Sequence, residues 1–568
     1  MKRYGWAFMP DPSRYINRLR LKAAAWRANW RLLNLTRQVT AHARPAVGQA
    51  PVVVFNASAR LTGLSQNAAF TLLTACGLQT AGIPIVYFAC QAGMSRCVQG
   101  TDRDDHTKPP PCSGCISQSK RLFSHALAVP FKYNPDGVLV QLLDGLTIEQ
   151  LSNFEFPTPL ANINPLTQPS QTSLNQCSIT IPLGSIVLPS LRWALRIHHL
   201  IDDEPTRFLL REYILSAYNV AKEFTKLLEQ LKPTAVVVFN GILFPEATAR
   251  WVAQQQGIRV ITHEVGFQPF SSFFSDGQAT AYPIHIPDDF DLSVEQNARL
   301  DAYFEKRFKG QFTMAGIRFW PEMRGLDDAF LQKVAKFRQV VPIFTNVIYD
   351  TSQIHANTVF PHMFAWLNLV LKIIRDHKDT LFIIRAHPDE MRPGTRKQSR
   401  ESVQGWIEQN QVNELPNVVF INSQEYLSSY ELIQRAKFIM VYNSSIGLEA
   451  ALMGVAVLCG GKARFTQYPT VFFPATPKDY LQKAEEFLAT PGPITIPDEF
   501  SRNARRFIYY QLYRASLPFG EFIEAYPRPG YVQVRSVTWQ QLSGQHSPTM
   551  RVLVDGVLHG DPFLLPEN

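Results

Sequence analysis

The 568 residues contain no run of about eighteen apolar side chains, so no segment reads as a membrane-spanning helix. Met1 to Pro10 lacks an apolar core followed by small residues, so no signal peptide is read and the cytoplasm is the expected compartment. No internal repeat is visible. Charge is sparse as well: 18% of residues are charged against 46% apolar, a globular composition long enough for two large α/β domains. The formal net charge is +9, yet residues 1–44 alone hold ten Lys or Arg and one acid, Asp11; the remaining 46 basic and 46 acidic residues balance. A basic surface confined to one segment does not fit a nucleic-acid-binding fold, and no nucleic-acid partner is expected.

Within that segment Ile16, Leu19, Ala23, Trp26, Trp30 and Leu33 recur at three- and four-residue steps, placing them on one helical face. Arg20, Arg27 and Arg31 flank it on one side, with Arg14, Arg18 and Lys22 round the other. Trp on an apolar face between basic flanks suits a helix lying on an anionic membrane surface. The same periodicity also suits a helix docked on its own domain.

Short apolar runs then alternate with helical periodicity. Val52–Phe55, Ile85–Ala89, Ala235–Phe239 and Arg259–Thr262 read as buried strands of one domain, and Val341–Thr345, Leu381–Arg385, Val418–Ile421, Phe438–Tyr442 and Val455–Cys459 as those of another. The expected class is α/β, with two doubly wound, Rossmann-like domains. The expected divisions are a basic segment 1–48, a first domain 49–335, a second domain 336–498, a returning helix 499–530 and a small β appendage 531–568. Polar stretches 97–120 and 153–190 read as insertions in the first domain, and 264–290 as an irregular loop lining the site.

The richest stretch runs from Asn443-Ser444-Ser445 through Glu449 to Gly454. A strand ends, small hydroxyl residues open a turn that Ser444 or Ser445 can cap, and a helix begins, which suits a phosphate. Glu449, one turn in, can accept hydrogen bonds from ribose hydroxyls. The turn lies at the carboxyl end of a strand, where open α/β sheets bind ligands. Arg385-Ala386-His387-Pro388 ends an earlier strand; there the ring of His387 faces a phosphate or leaving group, with Arg385 and Lys462 as further phosphate partners. Glu264, beside His263, is the candidate base for an acceptor hydroxyl. Asn56, Ser58 and Arg60, after the first strand, are expected on the acceptor side.

In this order the His387-Pro388 and Ser444-Ser445 pairs resemble motifs of the capsule polysaccharide biosynthesis family, whose members include Kdo transferases, and more distantly those of bacterial sialyltransferases. Gly447 to Gly454 resembles the glutamate-containing donor helix of GT-B enzymes, and Phe239-Asn240-Gly241 and His263-Glu264-Val265-Gly266 resemble the family's Asn-Gly and Glu-x-Gly elements, placing Asn240 on the acceptor side. The likeness covers about 235–470. It implies a GT-B glycosyltransferase with a nucleotide-activated, CMP-linked donor and a glycan or lipid-linked acceptor; if the basic helix lies on lipid, the enzyme is peripheral on the inner face of the cell membrane. No metal is expected in catalysis, and 336–498 contains no Asp-x-Asp pair. A polyol-phosphate transferase, a sugar-nucleotide epimerase and a non-catalytic scaffold of a polysaccharide assembly complex are the alternatives. Separately, Cys90, Cys97, Cys112 and Cys115 suit a structural zinc, with free thiols or an iron–sulfur cluster as alternatives.

Overall fold

The computed structural model describes residues 12–58 (side chains from Leu19), 63–159, 180–308, 323–391 and 398–567. Among these, runs of buried β-branched and aromatic residues build two sheets. The first has seven strands in the order Leu517–Pro518, Ser271–Asp276, Arg259–Val265, Ala235–Phe239, Val52–Phe55, Ile85–Cys90, Leu127–Phe131. All its pairings are parallel except that Ser271–Asp276 runs antiparallel to both neighbours. The second is wholly parallel, in the order Val418–Ile421, Thr380–Arg385, Gln339–Phe344, Ile439–Val441, Val457–Cys459.

Parallel strands require crossover connections that pack on the sheet faces, and both faces of each sheet are covered. On the first sheet, Leu191, Leu209, Tyr213 and Phe224 fill one side, while Phe70, Leu73, Met550 and Leu553 fill the other. The second sheet buries Trp366, Leu367 and Phe487 on one face, and Leu448, Phe465 and Phe507 on the other. Phe273 and Tyr282 of the first domain join that last cluster, so apolar packing is continuous between the domains. The helix Asp498–Tyr509 leaves the second domain, and the chain re-enters the first at Leu517–Pro518.

Three readings need correction. Residues 264–290 are not one irregular loop: the strand Arg259–Val265 continues into them and Ser271–Asp276 returns antiparallel. Insertion 97–120 includes the start of a helix, Cys112–Leu122. The C-terminal appendage pairs only a short strand, Val532–Val534, with Ile523–Ala525; its main element is the helix Pro548–His559, whose Met550 packs into the core on Gly77. Much of the second insertion, like Arg60 and Cys177, lies outside the described residues.

The basic segment forms the helix Pro12–His42, and its two long faces do different things. Ala24, Leu32, Leu35 and Val39 are buried, Arg31 pairs with Glu524 at 2.7 Å, and His42 stacks on Trp539 at 4.6 Å. Leu19, Trp26 and Trp30 remain outside; Trp26 is 68% exposed and Trp30 54%. At about 100° per residue the two sets are centred on opposite sides of the helix. No helix among the described residues is long and apolar enough to cross a membrane.

Glu246 is fully buried and its Oε1 accepts hydrogen bonds from the Ala57 and Ser58 N–H groups, both at 2.7 Å. Burial pushes its pKa up to about 7, against 4.5 for an ordinary glutamate. Between those values the unfolded chain releases the proton first, so this group costs stability as pH rises and the cost is complete above the upper one. Glu246→Gln keeps the acceptor and removes the charge. Its Tm should match the parent below about pH 4 and exceed it above about pH 7.5, and a pH-independent difference would refute this account.

Candidate active site

In the second sheet the strand order reverses between Gln339–Phe344 and Ile439–Val441, and the loops leaving these strands diverge there. Such a switch point opens a crevice at the carboxyl edge. Asn346 and Asn443, one from each loop, are joined across it, with Asn346 Nδ2 donating to Asn443 Oδ1 at 2.7 Å. Between them and the first domain lies a cavity of about 630 Å³. Of the residues singled out from sequence, His387, Asn443, Ser444, Ser445 and Lys462 line it.

Local structure explains each placement. His387 Nδ1 accepts from the Asp389 N–H at 3.1 Å, so in the neutral ring the proton sits on Nε2. Ser445 precedes the helix Ile446–Leu452 without making a side-chain cap, so of the two serines that could have capped it this one does not. Gly447 lets that helix sit close: a Cβ there would come within 3.0 Å of Phe465 and Val441. Lys462 is delivered by Gly460 and Gly461, where the chain passes Trp366 and Tyr442; a Cβ on Gly460 would lie 2.5 Å from the Trp366 indole. The Lys462 N–H then donates to Ala356 O at 2.9 Å.

The other expected residues stand elsewhere. Glu449 faces away from the cavity: Arg307 donates to its Oε1 at 2.7 Å and the Tyr430 hydroxyl to its Oε2 at 2.5 Å. Arg385 is buried, and burial lowers its pKa to about 10, with Glu425 acting in opposition. Glu264 is not among the residues lining the cavity; it accepts from Asn240 at 2.8 Å, the Val265 N–H at 3.0 Å and Asn67 at 3.4 Å. Burial raises its pKa and those three bonds oppose the rise. Asn240 itself is in the left-handed region, φ 62°, where its Oδ1 accepts from the Ile242 N–H at 3.1 Å. Asn56 lines a separate pocket of about 40 Å³ with Thr71, Cys90 and Cys115, and Ser58 is buried over Glu246.

The six described cysteines are free thiols, and burial pushes Cys90 and Cys97 up to about 12. Among the described residues no three His, Cys, Asp or Glu side chains are placed to hold a metal ion, so the arrangement lends no support to the zinc expected there.

Sequence reasoning missed several cavity residues. Arg464 lies over the rings of Tyr282 and Phe267, at 4.3 and 4.5 Å. His355 shares a 2.9 Å hydrogen bond with Thr280, and burial pulls its pKa down to about 4, helped by Lys462 and Arg250. Asp350 lines the cavity with its Oδ2 accepting from Ser352 Oγ at 2.6 Å. Cations thus crowd one cavity that holds Asp350 and Asp389 as its lining carboxylates, a setting for an anionic ligand.

Residues 317–468 match the capsule polysaccharide biosynthesis protein family. The matched segment contains all five strands of the second sheet and the cavity residues His387, Asn443, Ser444, Ser445 and Lys462. No curated protein matches the chain. Among solved structures, it is similar to a Thermosulfurimonas dismutans KpsC beta Kdo 2,4 transferase at 11% identity, over 55% of this chain and 87% of that one, with a TM-score of 0.31. A beta Kdo 2,7 transferase of the same KpsC gives 12%, 59%, 89% and 0.30 in the same order. The UDP-GlcNAc 2-epimerase from Neisseria meningitidis gives 13%, 81%, 98% and 0.24. At these values the likenesses carry no argument about the reaction. The two sheets with a cavity between them have the two-domain GT-B arrangement.

The position of Glu449 makes a sharp distinction possible. Removing one partner of a buried ion pair strands the other, at a cost of roughly 3–5 kcal/mol. Glu449→Ala should therefore lose about that much stability in urea unfolding, while the folded fraction keeps its ligand affinity. An unchanged midpoint with abolished nucleotide binding would instead make Glu449 a ligand contact.

Proposed function

We propose that the protein is a glycosyltransferase that takes a sugar from a nucleotide-activated, CMP-linked donor in capsule or cell-surface polysaccharide biosynthesis. The observation that carries the reading is the convergence of His387, Asn443, Ser444, Ser445 and Lys462 on one cavity at the switch point of a parallel sheet, inside the family-matched segment. His387 Nε2–H, the two serine hydroxyls and Lys462 stabilise the charge that develops on the departing phosphate. A base must reach the acceptor hydroxyl, and Asp350 lines the cavity directly. Glu264, with its oxygens engaged by Asn240, Asn67 and the Val265 N–H, serves to position those groups. These groups supply the chemistry without a metal, and activity is expected to persist in EDTA.

Calorimetry with CMP, CDP, UDP and GDP tests the reading. One nucleotide, CMP on this proposal, should bind preferentially and lose about tenfold or more in affinity in Lys462→Ala. Failure of all four to bind would exclude a nucleotide-sugar enzyme and leave the scaffold alternative.

The acceptor is a glycan or lipid-linked sugar, and the exposed face of Pro12–His42 brings the enzyme to it at an anionic membrane surface. Trp26 and Trp30 enter the headgroup region while Arg20 and Arg27 meet lipid phosphates. Sedimentation with vesicles should show binding to phosphatidylglycerol but not to phosphatidylcholine alone, and loss of it in the Trp26→Ala, Trp30→Ala double variant. Equal binding by that variant would refute the role of this face.

A further inference from the structure

Arg196 ends the helix Leu183–Leu195 of the first domain in the left-handed conformation, φ 63°, which a residue with a Cβ rarely adopts. Its backbone is fixed from both sides: its N–H donates to Arg192 O at 2.8 Å, and its carbonyl accepts from the Arg400 N–H of the second domain at 3.0 Å. This places the guanidinium over the ring of Trp193, at 3.9 Å, and near that of Tyr349, at 5.0 Å. All three residues line the cavity.

The cation is only 6% exposed, and its Nε has no hydrogen-bond partner. Among the described residues its side chain makes no ion pair. Asp350 and Tyr349 attract it and Arg103 repels it, yet burial dominates and draws its pKa down to about 10. Stripping a guanidinium of water and leaving it without a carboxylate is costly, and an incoming anion offsets that cost. The cavity cations and hydroxyls of His387, Ser444, Ser445, Lys462 and Arg464 belong to the second domain, whereas Arg196 comes from the first.

We infer that Arg196, stacked between Trp193 and Tyr349, anchors a second anionic group of the ligand, separate from the phosphate held by the second domain. The inference rests on the nucleotide-sugar reading and narrows it to donors carrying two anionic groups. The second group is either the β-phosphate of a nucleoside diphosphate or a carboxylate on the sugar. Its planar fork suits either.

Calorimetric affinities are compared in pairs, CMP with CDP, UMP with UDP, and CMP with CMP-N-acetylneuraminate, for the parent and for Arg196→Gln. The parent should bind one second member about tenfold or more tightly than its mononucleotide, and Arg196→Gln should lose that gain while keeping the mononucleotide affinity. A gain confined to the diphosphates identifies the β-phosphate; a gain confined to the acidic sugar identifies the carboxylate. Mononucleotide binding with no gain in the parent, or a gain that survives in Arg196→Gln, overturns the inference and leaves the nucleotide reading intact. Absence of mononucleotide binding in the parent overturns both. Arg196→Lys keeps the charge without the stacked plane and should retain part of the gain, which guards against a folding defect in the glutamine variant.

Discussion

Parallel strands hydrogen-bond side by side only if each connection crosses back over a sheet face, so successive strands release their loops at the same edge. Every arrangement at the cavity depends on that constraint. In the second domain it brings Asn346, His387, Asn443 and Lys462, spread over more than a hundred positions of sequence, to one wall. Tyr442 then fixes the wall's depth. Its hydroxyl donates to Asn357 at 2.6 Å, its carbonyl accepts from the Gly461 N–H at 2.7 Å, and a Cβ on Gly461 would lie 3.1 Å from its ring.

The two domains contribute differently to the cavity. The second supplies short polar loops held by the sheet, and the first supplies Trp193, Arg196, Thr280, Ala281 and Pro283. They are also stitched together by direct hydrogen bonds. Gln467 and Tyr468 bond the backbone of Tyr282, Ile284 and Ile286, while Glu401 accepts from the His198 and His199 N–H groups at 2.8 and 3.0 Å. Arg400 adds an ion pair to Asp104 at 2.5 Å. Residues 399–401 therefore touch the same corner of the first domain that holds Arg196.

How much of this is legible in the residues depends on the range of the interaction. Val52–Phe55 and Ala235–Phe239 stand where a run of buried β-branched residues places them, because a central parallel strand is apolar on both faces. Leu127–Phe131 escapes the same reasoning because it is a largely exposed edge strand, and Ser271–Asp276 because four of its six residues are polar. At the site, the Ser-Ser and His-Pro turns announce themselves locally. Glu449 does not, since its partner Arg307 lies 142 positions away, and a glutamate one turn into a helix looks the same whether it meets ribose or arginine. Arg196 is equally silent in sequence: its value comes from a left-handed backbone and two aromatic rings, one of them 153 residues further along.

The chain passes between the two domains twice, once ahead of Gln339 and again between Cys459 and Leu517. With two covalent connections instead of one, any relative displacement of the domains has to be absorbed in both segments at once, and the bonds from Glu401 and Arg400 to the first domain are further ties between the same two bodies.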